Sequence, residues 1–188
     1  MSSVTYILYS ENVDYCILVD CGEWEPLKQA LESIGKIVHA VLLTHGHIDH
    51  IYGLNRLLNS YSSVTIATND FGHKELRDSK KNLSYYQGIP VTLDGYHPLV
   101  LNDGMILHFQ GLIDVEVIAT PGHSSSCLSY KMGRNLFTGD AYIPGIKTYT
   151  KFPGGNKELA LRSIALLSDM EHSGYKIYCG HHHYDGEL

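Results

Sequence analysis

The chain has 188 residues, of which 44% are hydrophobic and 18% charged, and this composition favours one folded domain over residues 1–188 rather than a disordered or low-complexity chain. Its net charge of −6 and the lack of a long Lys/Arg block argue against a nucleic-acid partner. The apolar runs fall short of the ~18 residues of a membrane span, so we expect a cytoplasmic protein with no membrane partner.

In the first half of the chain, short apolar segments rich in branched residues alternate with segments whose apolar residues recur every three or four positions. The first pattern is typical of buried strands and the second of amphipathic helices. The predicted elements are strands 6–10 and 15–20, a helix through Leu27, Leu31 and Ile34, strand 37–43, a helix through Ile51, Leu54, Leu57 and Leu58, strand 64–68, and a loop with a short helix over 69–98.

The second half predicts a second sheet. Short apolar segments separated by Gly and Pro turns indicate strands, and one further helical repeat follows them. These elements are strands 105–109, 115–119, 128–132 and 136–137, a helix through Ala160, Ile164, Leu167 and Met170, and a last strand 176–179. Because strands and helices do not alternate strictly, we expect an α/β fold with two sheets covered by helices.

The densest chemical signal is the segment Thr44-His45-Gly46-His47-Ile48-Asp49-His50. It places three imidazoles and a carboxylate directly after a predicted buried strand. Imidazole is the commonest transition-metal ligand, and Gly46 permits a tight turn on which these side chains can converge. The segment therefore predicts a metal site.

The same residue types recur after three later strands. They are His123 in Pro121-Gly122-His123, Asp140 in Gly139-Asp140 and His181 in Gly180-His181. Each follows a predicted strand and a glycine turn, so each can point to one sheet edge. Five His and two Asp are about what two divalent ions require when they share one carboxylate and a water.

In this order, the motifs resemble those of the metallo-beta-lactamase-fold superfamily. The resemblance implies an αββα four-layer sandwich with two divalent metal ions at the edge of its sheets. Zinc is the expected metal, because His47 stands where the flavodiiron branch usually has Glu. Iron and manganese are the alternatives. The resemblance also implies that one metal binds His45, His47 and His123, that the other binds Asp49, His50 and His181, and that Asp140 bridges the two metals.

Within the superfamily, Asn82-Leu83-Ser84 and Tyr178-Cys179-Gly180-His181 are similar to glyoxalase II-like, or hydroxyacylglutathione hydrolase-like, enzymes. This implies a hydrolase in which a hydroxide shared by two metals attacks a thioester or a related small ester or lactone, with Asp49 as a ligand that orients the hydroxide. The partner would be a small-molecule substrate. The alternatives are a mono-iron persulfide dioxygenase-like oxidoreductase, a metal-dependent phosphodiesterase and a metal-binding protein without catalysis.

Glyoxalase II proper has a basic segment after the bridging Asp and a C-terminal helical domain for glutathione. Here Asp140 is followed by Ala-Tyr-Ile-Pro-Gly-Ile-Lys, and the sequence continues for seven residues after His181. We therefore expect weak recognition of glutathione.

Several further residues have two interpretations each. Asp20 either hydrogen-bonds a ligating imidazole or caps a turn, and Thr44, Thr120 and Thr138 precede ligands and could act similarly. The second group either borders the substrate pocket or is exposed to solvent, and it comprises Lys147, Tyr149, Lys151, His182 and His183.

Overall fold

The computed structural model describes residues 3–181, which form two five-stranded sheets. The first sheet has the order β1-β2-β3-β4-β5 and the second β10-β9-β8-β7-β6. The strands are β1 Tyr6–Tyr9, β2 Tyr15–Val19, β3 Ile37–Leu42, β4 Thr65–Thr68, β5 Leu99–Val100, β6 Ile106–Leu107, β7 Val115–Ala119, β8 Leu128–Met132, β9 Asn135–Gly139 and β10 Lys176–Cys179. The helices are α1 Trp24–Ile34, α2 Ile48–Ile51, α3 Leu54–Ser60, α4 Asp70–Leu76 and α5 Lys157–His172, with a 3-10 helix at Ser84–Gln87.

The alternation of side chains along β2 shows how the layers pack. Cys16 and Leu18 lie in the core between the first sheet and its helices, whereas Ile17 and Val19 lie in the core between the two sheets. A third core on the outer face of the second sheet includes Leu167 of α5. The layers are therefore helices, sheet, sheet and helix, which confirms the expected αββα sandwich.

The helix predicted through Ile51 and Leu58 is in fact two short helices, α2 and α3. At the break, the backbone N–H of Gly53 donates to the carbonyl of Cys21 at 3.0 Å. A Cβ on Gly53 would lie 2.6 Å from the carbonyl oxygen of Gly22, so only glycine permits this close approach. The contact holds α2, and the ligand-type residues on it, against the end of β2.

Residues 69–98 also contain more structure than expected. Helix α4 begins after Asn69, whose side chain accepts the N–H of Gly72 at 2.9 Å. The segment then continues through the 3-10 helix to β5, a strand of two residues that the sequence analysis did not predict. Within residues 3–181, the structure contains no helix long and apolar enough to cross a bilayer.

Candidate metal centre

The structure brings all seven predicted ligand residues to one edge of the sandwich. His45 and His47 lie in the loop after β3, and Asp49 and His50 lie on α2. The segments after β7, β9 and β10 supply His123, Asp140 and His181. The predicted convergence of these residues is present.

The ligand-type atoms form three overlapping groups, and within each group they lie within 4.8 Å of one another. We call the group of His45, His47 and His123 the three-histidine triad, and the group of Asp49, His50 and His181 the mixed triad. The third group joins His45 and His50 to Asp140. The geometry therefore offers two adjacent metal positions with nitrogen and oxygen donors.

Asp140 lies between the two triads. Its Oδ2 is 3.6 Å from Nε2 of His123 and 3.2 Å from Nε2 of His181. Its Oδ1 is 3.4 Å from Nε2 of His50. One carboxylate thus faces histidines of both triads, which is the placement that a bridging ligand needs.

Hydrogen bonds at Nδ1 orient three of the imidazoles. His50 donates to Asp20 at 2.8 Å, and His123 donates to the carbonyl of Tyr149 at 2.8 Å. The hydroxyl of Thr44 donates to Asp20, so its oxygen is left to accept from His45 at 3.2 Å. Each of these bonds places the proton on Nδ1 and leaves Nε2 as a metal donor.

The polar atoms that face the centre fit a metal site. Among the described residues, buried side-chain atoms without a hydrogen-bond partner include Nε2 of His45 and His50 and Oδ1 of Asp140, and Nδ1 of His47 lies 2.9 Å from Nε2 of His123. A buried polar atom without a partner is costly in a folded protein. Bound cations would satisfy the three unpartnered atoms.

Asp20 is the hydrogen-bond partner of a predicted ligand, which decides between its two interpretations. It has a φ of 62°, a left-handed conformation that Asp tolerates better than most residues. Thr44 also contacts a predicted ligand. The other two threonines differ from our expectation, because their hydroxyls bond other groups: Thr120 bonds Ser129 of β8, and Thr138 donates to the carbonyl of Tyr142.

Burial and neighbouring imidazoles keep the three-histidine triad neutral. Burial, together with the charge that His50 would carry, lowers the pKa of His45 well below its ordinary value. Burial and His123 lower the pKa of His47 to about 3. Neutral imidazole is the form that binds a metal, so these side chains are ready to bind at neutral pH.

The carboxylates give the mixed triad the opposite character. Hydrogen bonds to Asp140 and Asp49 raise the pKa of His181 to about 10. Burial opposes a charge on His50, but Asp20 and Asp140 raise its pKa well above the ordinary value. The site therefore favours positive charge, which protons supply in the metal-free protein and a divalent cation could supply instead.

Comparison with known proteins identifies the family. The sequence profile described as the metallo-beta-lactamase superfamily matches residues 1–183. The chain belongs to the metallo-beta-lactamase superfamily. Members of this superfamily bind divalent metal ions, and the two triads are the candidate positions for them in this chain.

Curated relatives within the superfamily include hydrolases. The chain is 30% identical over 140 residues to a hydroxyacylglutathione hydrolase from Buchnera aphidicola subsp. Schizaphis graminum, which covers 74% of this chain and 47% of that protein. It is 32% identical over 174 residues to the probable metallo-hydrolase YqgX of Bacillus subtilis, which covers 89% of this chain and 80% of that protein. The chain thus spans about half the length of the first of these relatives.

A solved structure has the same superfamily fold. The crystal structure of the BLEG-1 B3 metallo-beta-lactamase superposes with a TM-score of 0.82 and 26% sequence identity. The match covers 96% of this chain and 87% of that one. This likeness supports the αββα architecture.

A cleft of about 550 Å³ leads to the metal centre. One part of its wall is polar and consists of the predicted ligands, and the other part is largely apolar. Phe152 forms the inner apolar wall, with its ring centroid 5.4 Å from that of His47. Further lining residues are Ile48, Leu83, Tyr86, Gln87, Tyr149 and Pro153.

The lining of the cleft tests which residues of the second group border the pocket and which are only exposed to solvent. Tyr149 lines it, whereas Lys147 and Lys151 are exposed and lie outside its lining. His182 and His183 lie outside the described residues.

Three residues at or behind the centre were not predicted from the sequence: Tyr86, Phe152 and the buried Glu75. The aromatic pair Tyr85-Tyr86 after Asn82-Leu83-Ser84 was a signal for the first of these, since aromatic side chains are common in ligand pockets. Phe152 and Glu75 had no local motif, because their contacts join segments distant in the sequence.

Proposed function

We propose that this chain is a dinuclear-metal hydrolase that cleaves a thioester or a related small ester or lactone. The observation that carries the proposal is the position of Asp140 between two complete triads. The hydroxyacylglutathione hydrolase name of one relative and the metallo-hydrolase name of another support the reaction class. The substrate would be a small molecule that enters through the cleft.

The donor set suits two divalent ions, and we propose zinc in both positions. Three imidazoles at one position and two imidazoles with a carboxylate at the other are nitrogen and oxygen donors that zinc accepts. When bound, such ions lower the pKa of water and polarise a carbonyl oxygen. Their role would explain why hydrolysis needs no serine or cysteine nucleophile.

Asp49 is the residue that we propose as the proton acceptor. It lines the cleft, and its side chain is 24% exposed. Burial opposes its ionisation, but the hydrogen bond from His181 and the charge of His50 give it a net lowered pKa. At neutral pH, Asp49 is therefore ionised and able to orient a water and take its proton during attack on the substrate carbonyl.

The apolar wall would hold the acyl or leaving group. Leu83, Tyr86 and Phe152 offer apolar and aromatic surface beside the polar centre, which is the usual composition of a small-molecule site. Within residues 3–181, neither Lys nor Arg lines this cleft. We therefore propose an acyl substrate whose hydrolysis depends little on an anionic group far from the reacting carbonyl, which we call the remote group.

The test is a substrate panel on protein of measured metal content. Acyl thioesters, lactones, a beta-lactam and a phosphodiester are compared, each with and without a chelator. Chelator-sensitive hydrolysis in which a thioester, ester or lactone gives the highest kcat/KM supports the proposal. Faster cleavage of the phosphodiester or the beta-lactam, or oxygen consumption by protein with one iron per chain, would contradict it.

A second comparison addresses the remote group. A glutathione thioester and a truncated thioester with the same acyl group are measured side by side. We expect the ratio of their kcat/KM values to stay below ~100-fold, or about 2.7 kcal/mol, because the cleft wall offers little to bind the glutathione charges. A larger ratio would contradict the proposed independence from the remote group.

A further inference from the structure

Glu75 is a buried carboxylate that belongs to none of the ligand motifs. It lies near the end of α4 and is 5% exposed. Its Oε2 accepts the backbone N–H of Gly46 at 3.0 Å and the hydroxyl of Ser126, and its Oε1 accepts the hydroxyl of Ser124 at 2.5 Å. All three hydrogen-bond donors are neutral groups, so the buried charge depends on their combined geometry.

The three donors come from the two segments that carry the three-histidine triad. Gly46 lies between His45 and His47, and Ser124 directly follows His123. The hydroxyl of Ser126 also accepts the N–H of Gly46 at 3.3 Å. Glu75 therefore joins the loop after β3 to the loop after β7. Within residues 3–181, this network makes no hydrogen bond to Asp49 or His50.

Packing makes the link rigid. A Cβ on Gly46 would lie 2.5 Å from Oε2 and 2.6 Å from Cβ of Glu75, so the side chain lies directly on the backbone between the two ligand histidines. The side chain of Asn69, which caps the same helix, donates to the carbonyl of Ser126 at 3.2 Å. Glu75 of helix α4 thus supports both loops, and the capping residue Asn69 adds a second contact to the loop after β7.

We propose that Glu75 is a positioning residue that sets the spacing of His45, His47 and His123 and thereby the metal affinity of the three-histidine triad. Residues that orient ligands from behind typically change metal affinity by ~10- to 100-fold when they are removed. We expect the larger effect at this triad, because Glu75 bonds the residues that directly adjoin its three histidines, whereas Asp49 and His50 lie three and four residues beyond Gly46. The inference requires metal binding but does not depend on the substrate class.

The test measures stepwise metal affinity on metal-free protein by competition with a chromophoric chelator. Cobalt(II) is the second probe, because the shifted imidazole NMR resonances of cobalt-substituted protein report which triad is occupied. We expect Glu75→Ala to lower the metal affinity of the three-histidine triad by ~10- to 100-fold and that of the mixed triad by less than ~3-fold. We expect Glu75→Gln to restore most of the affinity, since its amide oxygen can accept from Gly46 and Ser126 while its NH₂ group donates to the hydroxyl of Ser124.

Two further variants separate positioning from a general loss of stability. Tyr96→Phe removes a half-buried hydroxyl that donates to the carbonyl of Val64 at 2.7 Å and accepts the N–H of Ile66 at 2.8 Å, on no residue of either triad, and it should leave both affinities unchanged. The double variant Ser124→Ala/Ser126→Ala removes two of the donors and should reproduce the selective loss if Glu75→Ala does not fold. Equal weakening of both triads, unchanged affinity in Glu75→Ala, or no recovery in Glu75→Gln would overturn the proposal. Wild-type protein that binds fewer than two metals would contradict the proposed function instead.

Discussion

Oδ2 of Asp20 accepts the Nδ1 proton of His50 at 2.8 Å and connects the end of β2 to helix α2. The same carboxylate accepts both the backbone N–H and the hydroxyl of Thr44, at 2.7 and 2.8 Å. The ends of the parallel neighbours β2 and β3 are therefore tied to each other and to a predicted ligand. The bond fixes the tautomer of His50 and directs its Nε2 toward the metal centre.

We expect Asp20→Asn to lower metal affinity by ~10- to 100-fold. An asparagine has only one acceptor oxygen, so its NH₂ group must face either the N–H of Thr44 or Nδ1 of His50. The first arrangement leaves two donors in contact, and the second forces the proton of His50 onto Nε2, where a metal would bind. Isothermal titration of metal-free protein measures the loss.

The control for this variant is Asp114→Asn. Asp114 accepts from Nδ1 of His108 at 2.9 Å, but both side chains are exposed and distant from the predicted ligands in the fold. The control should keep the wild-type affinity. If Asp20→Asn behaves like Asp114→Asn, the carboxylate does not act through the tautomer of His50.

Asp140→Asn should reduce the metal content from two ions toward one and lower the hydrolytic rate together. The amide keeps the shape of the side chain but lacks the negative charge that stabilises two neighbouring cations. Metal analysis after gel filtration gives the stoichiometry, and the rate is measured on the same sample. Two bound ions with full activity would show that Asp140 does not bridge.

The ligand residues could be predicted from sequence because each lies in a short motif directly after a strand. Four of them lie together in one motif, namely His45, His47, Asp49 and His50. Glu75 could not be predicted, since its bonds to Gly46 and Ser124 span 29 and 49 residues and a seven-residue helix gives little periodicity. Strand β5 was missed for the same reason: two residues carry no pattern, and pairing with β4 alone defines the strand.

The stability of the metal-free protein should fall as pH rises from 6.5 to about 10. The pKa of His181 is raised to about 10 in the folded state, so its protonated form stabilises the fold fully below 6.5 and this contribution is lost through the folded pKa. His47 acts in the opposite direction. Its pKa of about 3 gives a contribution that is present above 6.5 and lost as pH falls toward 3.

Denaturant unfolding in the presence of chelator, repeated across this pH range, measures the free energy of unfolding. His181→Ala should flatten the alkaline decrease. His172→Ala, which removes an exposed imidazole at the end of α5, is the control and should keep the wild-type slope. An unchanged alkaline slope in His181→Ala would mean that the proton on His181 does not stabilise the metal-free fold.

Tyr86 and its neighbour Tyr85 allow a matched test of the apolar wall. Tyr86 lines the cleft, whereas Tyr85 is exposed outside its lining, with Nζ of Lys80 5.3 Å from its ring centroid. Tyr86→Ala should lower kcat/KM by ~10-fold, about 1.4 kcal/mol, for a long apolar acyl thioester and by much less for an acetyl thioester, since only the long chain reaches this ring. Tyr85→Ala should leave kcat/KM unchanged for both substrates.

The comparison uses the same metal content for wild type and both variants, so the change in selectivity reports the wall alone. Equal losses on the two substrates in Tyr86→Ala would place the acyl group elsewhere in the cleft.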